Sequence, residues 1–321
     1  MLNRRTILAA MPLAQLLAAT PAAAETFEGF VAGVKAEARR HGIRQTTLDR
    51  AFAGVRVNRK VIELDRHQPE FTLTWEQYRS RIVSAARIAR GRALYARHRT
   101  LLGEITQRYG VPPGPIMGIW GLESNFGESS GGYNVIEALA TLSWDGRRAA
   151  FFRSELMDAL RILDHGDIPP SRMVGSYAGA MGQPQFMPDS FLKFAVDFAG
   201  TGRRDIWGNT ADVFASVANY LAKSGWSDRL PWGAPARLPQ GFDPSLAGRT
   251  KGRTIADWAR LGVVPEGASL PPASRAAVIL PGGAQGEAFL ACDPNFLAIR
   301  RYNPSDFYCI SVGLIGDGIT A

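Results

Sequence analysis

The chain is 321 residues long and 46% hydrophobic, with 34 Gly and 20 Pro, which excludes a disordered composition and allows a sizeable core. Lys and Arg number 37 against 29 Asp and Glu, a net charge of +8, so an acidic polymer suits it better than a basic partner. The four His, at 41, 67, 98 and 165, have no metal-ligand spacing, and neither Cys lies in a nucleophile motif; metal and cysteine-based acyl-transfer chemistries fall away and no cofactor is expected.

The N-terminus reads Met-Leu-Asn-Arg-Arg-Thr-Ile-Leu, then an apolar run to Leu17, then Pro21-Ala-Ala-Ala-Glu25. A basic start, a short apolar middle and an Ala-x-Ala site make a secretory signal over 1–24, cleaved after Ala24. The run is too short to span a bilayer, and no Cys follows it to carry a lipid, so no stable membrane anchor is expected. Arg4-Arg5 is compatible with twin-arginine export but does not decide the route. A basic exported protein points to the bacterial cell wall, with a periplasmic location, and away from nucleic acid. Cys292 and Cys309 meet an oxidising compartment, yet a strand and a turn expected between them keep them apart, and their pairing stays open.

Residues 25–110 read as a helical scaffold. Phe27, Phe30, Val31 and Val34 mark one helix face, Thr46-Thr47 looks like the cap of a second helix, and Trp75 to Tyr109 carries one long helical periodicity rich in Arg. Leu64-Asp-Arg-His-Gln-Pro-Glu-Phe71 interrupts these helices, and Tyr78 follows.

Residues 111–228 hold the chemistry. Val111-Pro-Pro-Gly-Pro-Ile-Met-Gly-Ile-Trp-Gly-Leu-Glu-Ser-Asn-Phe-Gly127 reads as a short helix entered at Pro115 and left near Ser124. Ile116, Ile119 and Trp120 lie seven, four and three residues before Glu123, so the carboxylate shares a face with apolar side chains and points inward. Burial and the negative end of the helix dipole both raise its pKa, which makes it a candidate general acid; a salt bridge to an Arg is the other reading of the same residue. A Gly/Ser/Asn loop over 127–134, a helix Val135 to Leu142 and a turn Trp144-Asp-Gly-Arg-Arg148 follow. Arg147 and Arg148 are either surface charge or donors to sugar oxygens and carboxylates.

Ser176-Tyr-Ala-Gly-Ala-Met-Gly-Gln-Pro-Gln-Phe-Met-Pro188 combines small residues with neutral hydrogen-bonding groups and an aromatic ring, a mixture that suits a hydroxylated, ring-shaped ligand. Asp189 or Ser190 then caps a helix bearing Phe191, Phe194, Ala195 and Phe198, and Asn209-Thr210 caps another reaching Lys223. Residues 229–300 are Pro- and Gly-rich, with strands expected at Ala276 to Leu280, Ala288 to Cys292 and Phe296 to Arg301 and a small helix capped at Thr254. Residues 301–321 carry a last helix, Ser305 to Ile315, expected to pack back on the scaffold. The fold class is α+β and predominantly α-helical, with a small inserted β-sheet domain.

Glu123-Ser-Asn-Phe-Gly127 together with Gly179-Ala-Met-Gly-Gln-Pro-Gln-Phe-Met-Pro188 resembles the lytic murein transglycosylases of the B type. The likeness continues through Gln68-Pro-Glu-Phe71, Ala138-Leu-Ala-Thr-Leu142, Asp145-Gly-Arg-Arg148, Ser216-Val-Ala-Asn-Tyr220 and Arg301-Tyr-Asn-Pro-Ser305. The resemblance implies a lysozyme-like catalytic core acting as a monomer on peptidoglycan glycan strands. It implies cleavage of the β-1,4 bond between N-acetylmuramic acid and N-acetylglucosamine to leave a 1,6-anhydro sugar, with activity peaking on the acidic side of neutral. Glu123 is then the single acid and base. Ser176, Gln185, Phe186, Tyr220, Tyr302, Asn303 and Tyr308 are expected to line the groove, with Arg147, Arg148 and Tyr78 at its edges. Two other readings stay open: a hydrolytic lysozyme, which needs a second carboxylate for which Asp145 and Asp189 are nearest, and a wall-binding scaffold without activity. Relatives can carry an EF-hand-like loop over Asp197 to Gly208, but here Ala199, Thr201 and Gly208 stand at ligand positions and Arg203-Arg204 adds positive charge, so no calcium is expected.

Overall fold

The computed structural model describes residues 25–67 and 73–321; the signal peptide and the Gln68-Pro-Glu-Phe71 motif lie outside the described residues. The N-terminal part forms α1 (Phe27–Arg40), α2 (Gln45–Ala51), α3 (Arg59–Arg66), α4 (Trp75–Ile82) and α5 (Ala85–Tyr109). Thr47 does not cap α2: it is a buried residue inside the helix, whose cap position is Arg44. The long periodicity is two helices, because Ser84 accepts the Arg87 amide and starts α5 afresh after Val83.

The central elements are α6 (Pro113–Ser124), β1 (Tyr133–Asn134), α7 (Val135–Asp145), α8 (Ala149–His165), β2 (Val174–Gly175), α9 (Pro188–Phe194) and α10 (Thr210–Lys223). α6 begins at Pro113 rather than Pro115, since proline at the first turn loses only an amide that had no helical partner. The helix after the 176–188 stretch begins at Pro188 on Met187, so Asp189 sits in its first turn rather than at its cap, while Asn209 caps α10 as its sequence suggests.

The last part contains β3 (Gly233–Arg237), β4 (Arg253–Thr254), α11 (Ile255–Arg260), β5 (Val264–Pro265), β6 (Arg275–Ile279), β7 (Ala288–Cys292), α12 (Asn295–Tyr302) and α13 (Asp306–Thr320). The strands make an antiparallel sheet in the order β4-β6-β7-β3-β5. Its alternation divides two cores: Ala277, Ile279, Phe289 and Ala291 join the main helical core, whereas Ala276, Val278, Leu290 and Cys292 pack with Trp258 in a smaller one. Phe296 to Arg301, expected as a strand, is α12. Its buried residues Asn295, Phe296, Ala298 and Ile299 follow a helical face, and a four-residue apolar run, Phe296 to Ile299, fits either period until its neighbours choose. Cys292 and Cys309 are both buried free thiols in different cores, and burial pushes the Cys292 thiol up to about 12.

α6 is wrapped by α5, α10 and α13. Its crossing with α13 is antiparallel and very close, because small residues face one another. A Cβ on Gly118 would meet the Val312 carbonyl oxygen at 2.3 Å, and one on Gly316 would meet the Gly114 oxygen at 2.5 Å. This places α13 on α5 and, more extensively, on α6.

Candidate active site

The antiparallel register that brings Gly118 to Val312 brings Glu123, near the end of α6, to Tyr308, in the first turn of α13. Tyr308 Oη donates to Glu123 Oε1 at 2.6 Å. Among the described residues no Lys or Arg forms an ion pair with Glu123, so the salt-bridge reading falls away. Burial pushes its carboxyl up to about 7, against the opposing pull of the Tyr308 hydrogen bond. Burial, and then the charge on Glu123, raise the Tyr302 and Tyr308 phenols, which therefore stay protonated and serve as donors.

The turn after Glu123 is held in an uncommon backbone. Asn125, Phe126 and Gly127 have φ of 49°, 61° and 84°, and the Ser124 hydroxyl accepts the Gly127 amide at 3.0 Å. Left-handed conformation at a bulky Phe is costly, and here the ring is seated against Trp120 with centroids 5.3 Å apart. Trp120, three residues before the acid, donates through Nε1 to Gln183 Oε1 at 2.7 Å; Gln183 Nε2 in turn donates to the Trp207 carbonyl at 2.9 Å, and Trp207 Nε1 to the Val174 carbonyl at 2.9 Å. This buried relay fixes the end of α6 to the 175–187 loop. Sequence reading singled out Gln183 as a polar group of that loop but not its partner 63 residues away.

The loop itself is tied by its own side chains. Ser176 Oγ accepts the amides of Ala178 and Ala180 at 3.3 and 3.0 Å, and Gln185, at φ 52°, donates through Nε2 to the carbonyls of Gly182 and Ser130 at 2.7 and 3.0 Å. Tyr302 Oη donates to the Pro184 carbonyl at 2.5 Å, and Tyr220 Oη to the Arg301 carbonyl at 2.6 Å. The rings of Phe186, Tyr220 and Tyr302 form one cluster, with centroids 5.7 Å apart from Phe186 to each and 4.6 Å between the tyrosines. Phe186 is only 2% exposed, so it backs the wall from behind. Asn303 Oδ1 accepts the Ser305 amide at 3.1 Å and sets the bend between α12 and α13.

The edge residues have other partners. Asp65, 2% exposed, takes Arg147 Nε at 2.7 Å and also pairs with Arg148, so both guanidinium groups are bound to one buried carboxylate. No local signal in the sequence announced Asp65, which sits 82 residues from Arg147. Tyr78 lies against Phe307, next to Tyr308 in sequence, with ring centroids 5.6 Å apart. Asp145 is paired to Arg66 at 2.7 Å and Asp189 to Lys193 at 2.8 Å, so each proposed second carboxylate already has a cation.

The family described as "Transglycosylase SLT domain" matches residues 26–317. Membrane-bound lytic murein transglycosylase B of Escherichia coli strain K12 is 34% identical over 251 residues, 76% of this chain and 67% of the relative. SltB3 of Pseudomonas aeruginosa, solved in complex with NAG-anhNAM-pentapeptide, superposes with a TM-score of 0.89 at 45% identity, covering 92% of this chain and 80% of that one. The Escherichia coli lytic transglycosylase Slt35, solved in complex with calcium, gives a TM-score of 0.76 at 30% identity over 92% of each chain.

The loop from Asp197 to Gly208 does not fit a calcium ion. Asp197 accepts the amides of Thr201 and Gly202 at 2.9 and 2.7 Å, and Asp205 those of Trp207 and Gly208 at 3.0 and 2.8 Å. Ala199 and Gly208 bring no side-chain oxygen to the ring of ligands such an ion needs, and Arg204 reaches over the loop to Asp167 at 2.6 Å. The loop is closed from within by Asp212, fully buried on α10, which accepts the amides of Phe198, Ala199 and Asp205 at 2.9, 3.0 and 2.9 Å.

Proposed function

This chain belongs to the SLT-domain transglycosylases, and from that premise we propose that Glu123 is its single acid–base group in cutting peptidoglycan. The chain is a lytic murein transglycosylase, a lyase acting on the wall polymer. Glu123, protonated, gives its proton to the oxygen of the β-1,4 bond between N-acetylmuramic acid and N-acetylglucosamine as that bond breaks. The resulting carboxylate then takes the proton of the muramic C6 hydroxyl while that oxygen closes onto C1. The product is a 1,6-anhydro sugar, the proton returns to Glu123, and no water is consumed.

The observation that carries this reading is a carboxyl that, among the described residues, pairs with no cation, is raised to about 7 by burial and is held by one phenol. Near neutrality such a group exists in both forms and can serve each half of the cycle. The absence of an unpaired carboxylate at Asp145 or Asp189 favours internal attack by the sugar hydroxyl over hydrolysis, which needs a second carboxylate to hold a nucleophile or water. Tyr302, Gln185 and Ser176 shape the sugar-binding wall. Residues 1–24 direct the protein to the periplasm, and no helix of the described residues is long and apolar enough to cross a membrane.

The test is product analysis of digested wall by mass spectrometry. Wild-type protein yields 1,6-anhydro ends. Glu123→Gln, which keeps the shape but carries no proton to give, yields none while retaining its folded spectrum and melting temperature. Reducing ends from the wild type, or substantial turnover by the variant, would overturn the assignment.

A further inference from the structure

Away from Glu123 the molecule has a cavity of ≈ 290 Å³ between α2, the end of α8 and the loop preceding α10, lined among others by Thr47, Arg50, Leu163, Ile168, Pro169 and Arg203. Leu163 and Ile168 are buried and make its floor apolar, while Arg50 and Arg203 stand at its exposed rim from segments far apart in the chain. None of these residues belongs to the groove around Glu123.

The charges around the cavity do not balance. Asp164 is taken by Arg44 Nε at 2.9 Å and by the Thr47 hydroxyl at 2.6 Å, and Asp167 by Arg204 at 2.6 Å. Arg50 and Arg203 are left over: among the described residues neither forms an ion pair, and no carboxylate lines the cavity. Guanidinium groups bordering one apolar pocket repel each other weakly when it is empty and attract a carboxylate bidentately when one enters. The apolar floor suits a short aliphatic group behind that carboxylate.

We propose that this cavity is a second wall-anchoring site, which takes the carboxylate terminus of a peptide stem on the polymer that Glu123 cuts. The proposal rests on the reading of peptidoglycan as substrate. A peptide borne on the sugar, as in the fragment bound to the Pseudomonas relative, ends in such a group. A wall presents it wherever a stem is not crosslinked through that carboxyl, so a site too weak to matter for a soluble fragment adds to retention on the polymer, because the second contact is made at high effective concentration. It also uses the basic excess of the chain where it is not already paired.

The experiment uses the mature protein carrying Glu123→Gln, so that the wall is not digested, and measures co-sedimentation with isolated sacculi. Adding Arg50→Ala and Arg203→Ala is expected to weaken retention about tenfold, the scale of losing exposed charge-assisted contacts. A free pentapeptide with a C-terminal carboxylate is expected to displace the parent, and the same peptide as a C-terminal amide is not. With Glu123 restored, the double variant is expected to cut peptide-free glycan strands at the parental rate, which separates a lost anchor from a lost fold. The single variant Arg203→Ala, in a surface loop, is expected to weaken retention to a smaller extent. Unchanged retention, equal competition by acid and amide, competition by inorganic phosphate as strong as by the peptide, or slower cutting of peptide-free strands would each overturn the proposal. A Glu123→Gln parent that sacculi do not retain at all would instead count against the substrate reading itself.

Discussion

Glu123 was legible because its apolar neighbours at helical spacing force the carboxylate inward, and the structure adds the group that sets its behaviour. Tyr308 donates to the carboxylate and so favours its ionised form. Tyr308→Phe removes that donor and raises the Glu123 pKa further. In the proposed mechanism the first proton transfer needs the protonated acid, so the fall in rate at high pH is expected to move to higher pH. The maximal rate is expected to drop roughly tenfold, the scale of one hydrogen bond to a charged group. A pH–rate profile of the variant on solubilised wall checks both; an unmoved basic limb would show that the phenol does not set the acid. That pairing could not be read from local sequence, since 185 residues separate its members and nothing near either one names the other. Arg147 and Arg148 teach the same lesson in reverse: adjacent arginines in a turn suggested sugar contacts, and the structure gives both to a buried Asp65.

At the scale of elements, capping chemistry was read well where a side chain does the capping, as at Asn209 and Thr254. It failed at α2 and α9, whose first turns form without a side-chain cap, and at α12, where a short apolar run fits both periods. Each glycine of α6 costs about 1 kcal/mol relative to Ala in an isolated helix. At Gly114 and Gly118 the return is close approach to α13, and at Gly121 it is room for the Phe126 ring. Gly118→Ala places a methyl 2.3 Å from the Val312 oxygen, so the helices must separate and Tyr308 must withdraw from Glu123. The expected result is a loss of about 1–3 kcal/mol of stability by denaturant titration, with activity falling more than the change in folded fraction explains. A variant as stable as the parent would mean that the crossing is looser than described.

For the molecule as a whole, the sequence conveyed a helical protein with a small sheet, but not how the buried Glu155 shapes its stability. Glu155, on α8, is raised from 4.5 to about 7, by burial first and then by the charges of Asp189 and Asp158; the Asp189 amide it accepts at 3.0 Å and the nearby Lys193 act in the opposite sense. A carboxyl raised on folding stabilises fully below its unfolded pKa and loses that contribution as pH rises through its folded pKa, here between 4.5 and about 7. Glu155→Gln keeps an oxygen for the Asp189 amide and cannot ionise. Its melting temperature is expected to match the parent near pH 4 and to exceed it at pH 8. A residual decline is expected to remain, because Glu123 has the same sign. Equal melting temperatures at both pH values would show Glu155 to be better solvated than its surroundings suggest.

The helix that delivers Tyr308 is also the last described element of the chain, and that turns geometry into timing. A polypeptide is made from its N-terminus, so Glu123 emerges long before residue 306. Until α13 seats itself, Gly114 and Gly118 face a vacant furrow and the acid stands without its phenol. A chain truncated anywhere short of α13 would therefore keep Glu123 but lack both Tyr308 and the close crossing that positions it.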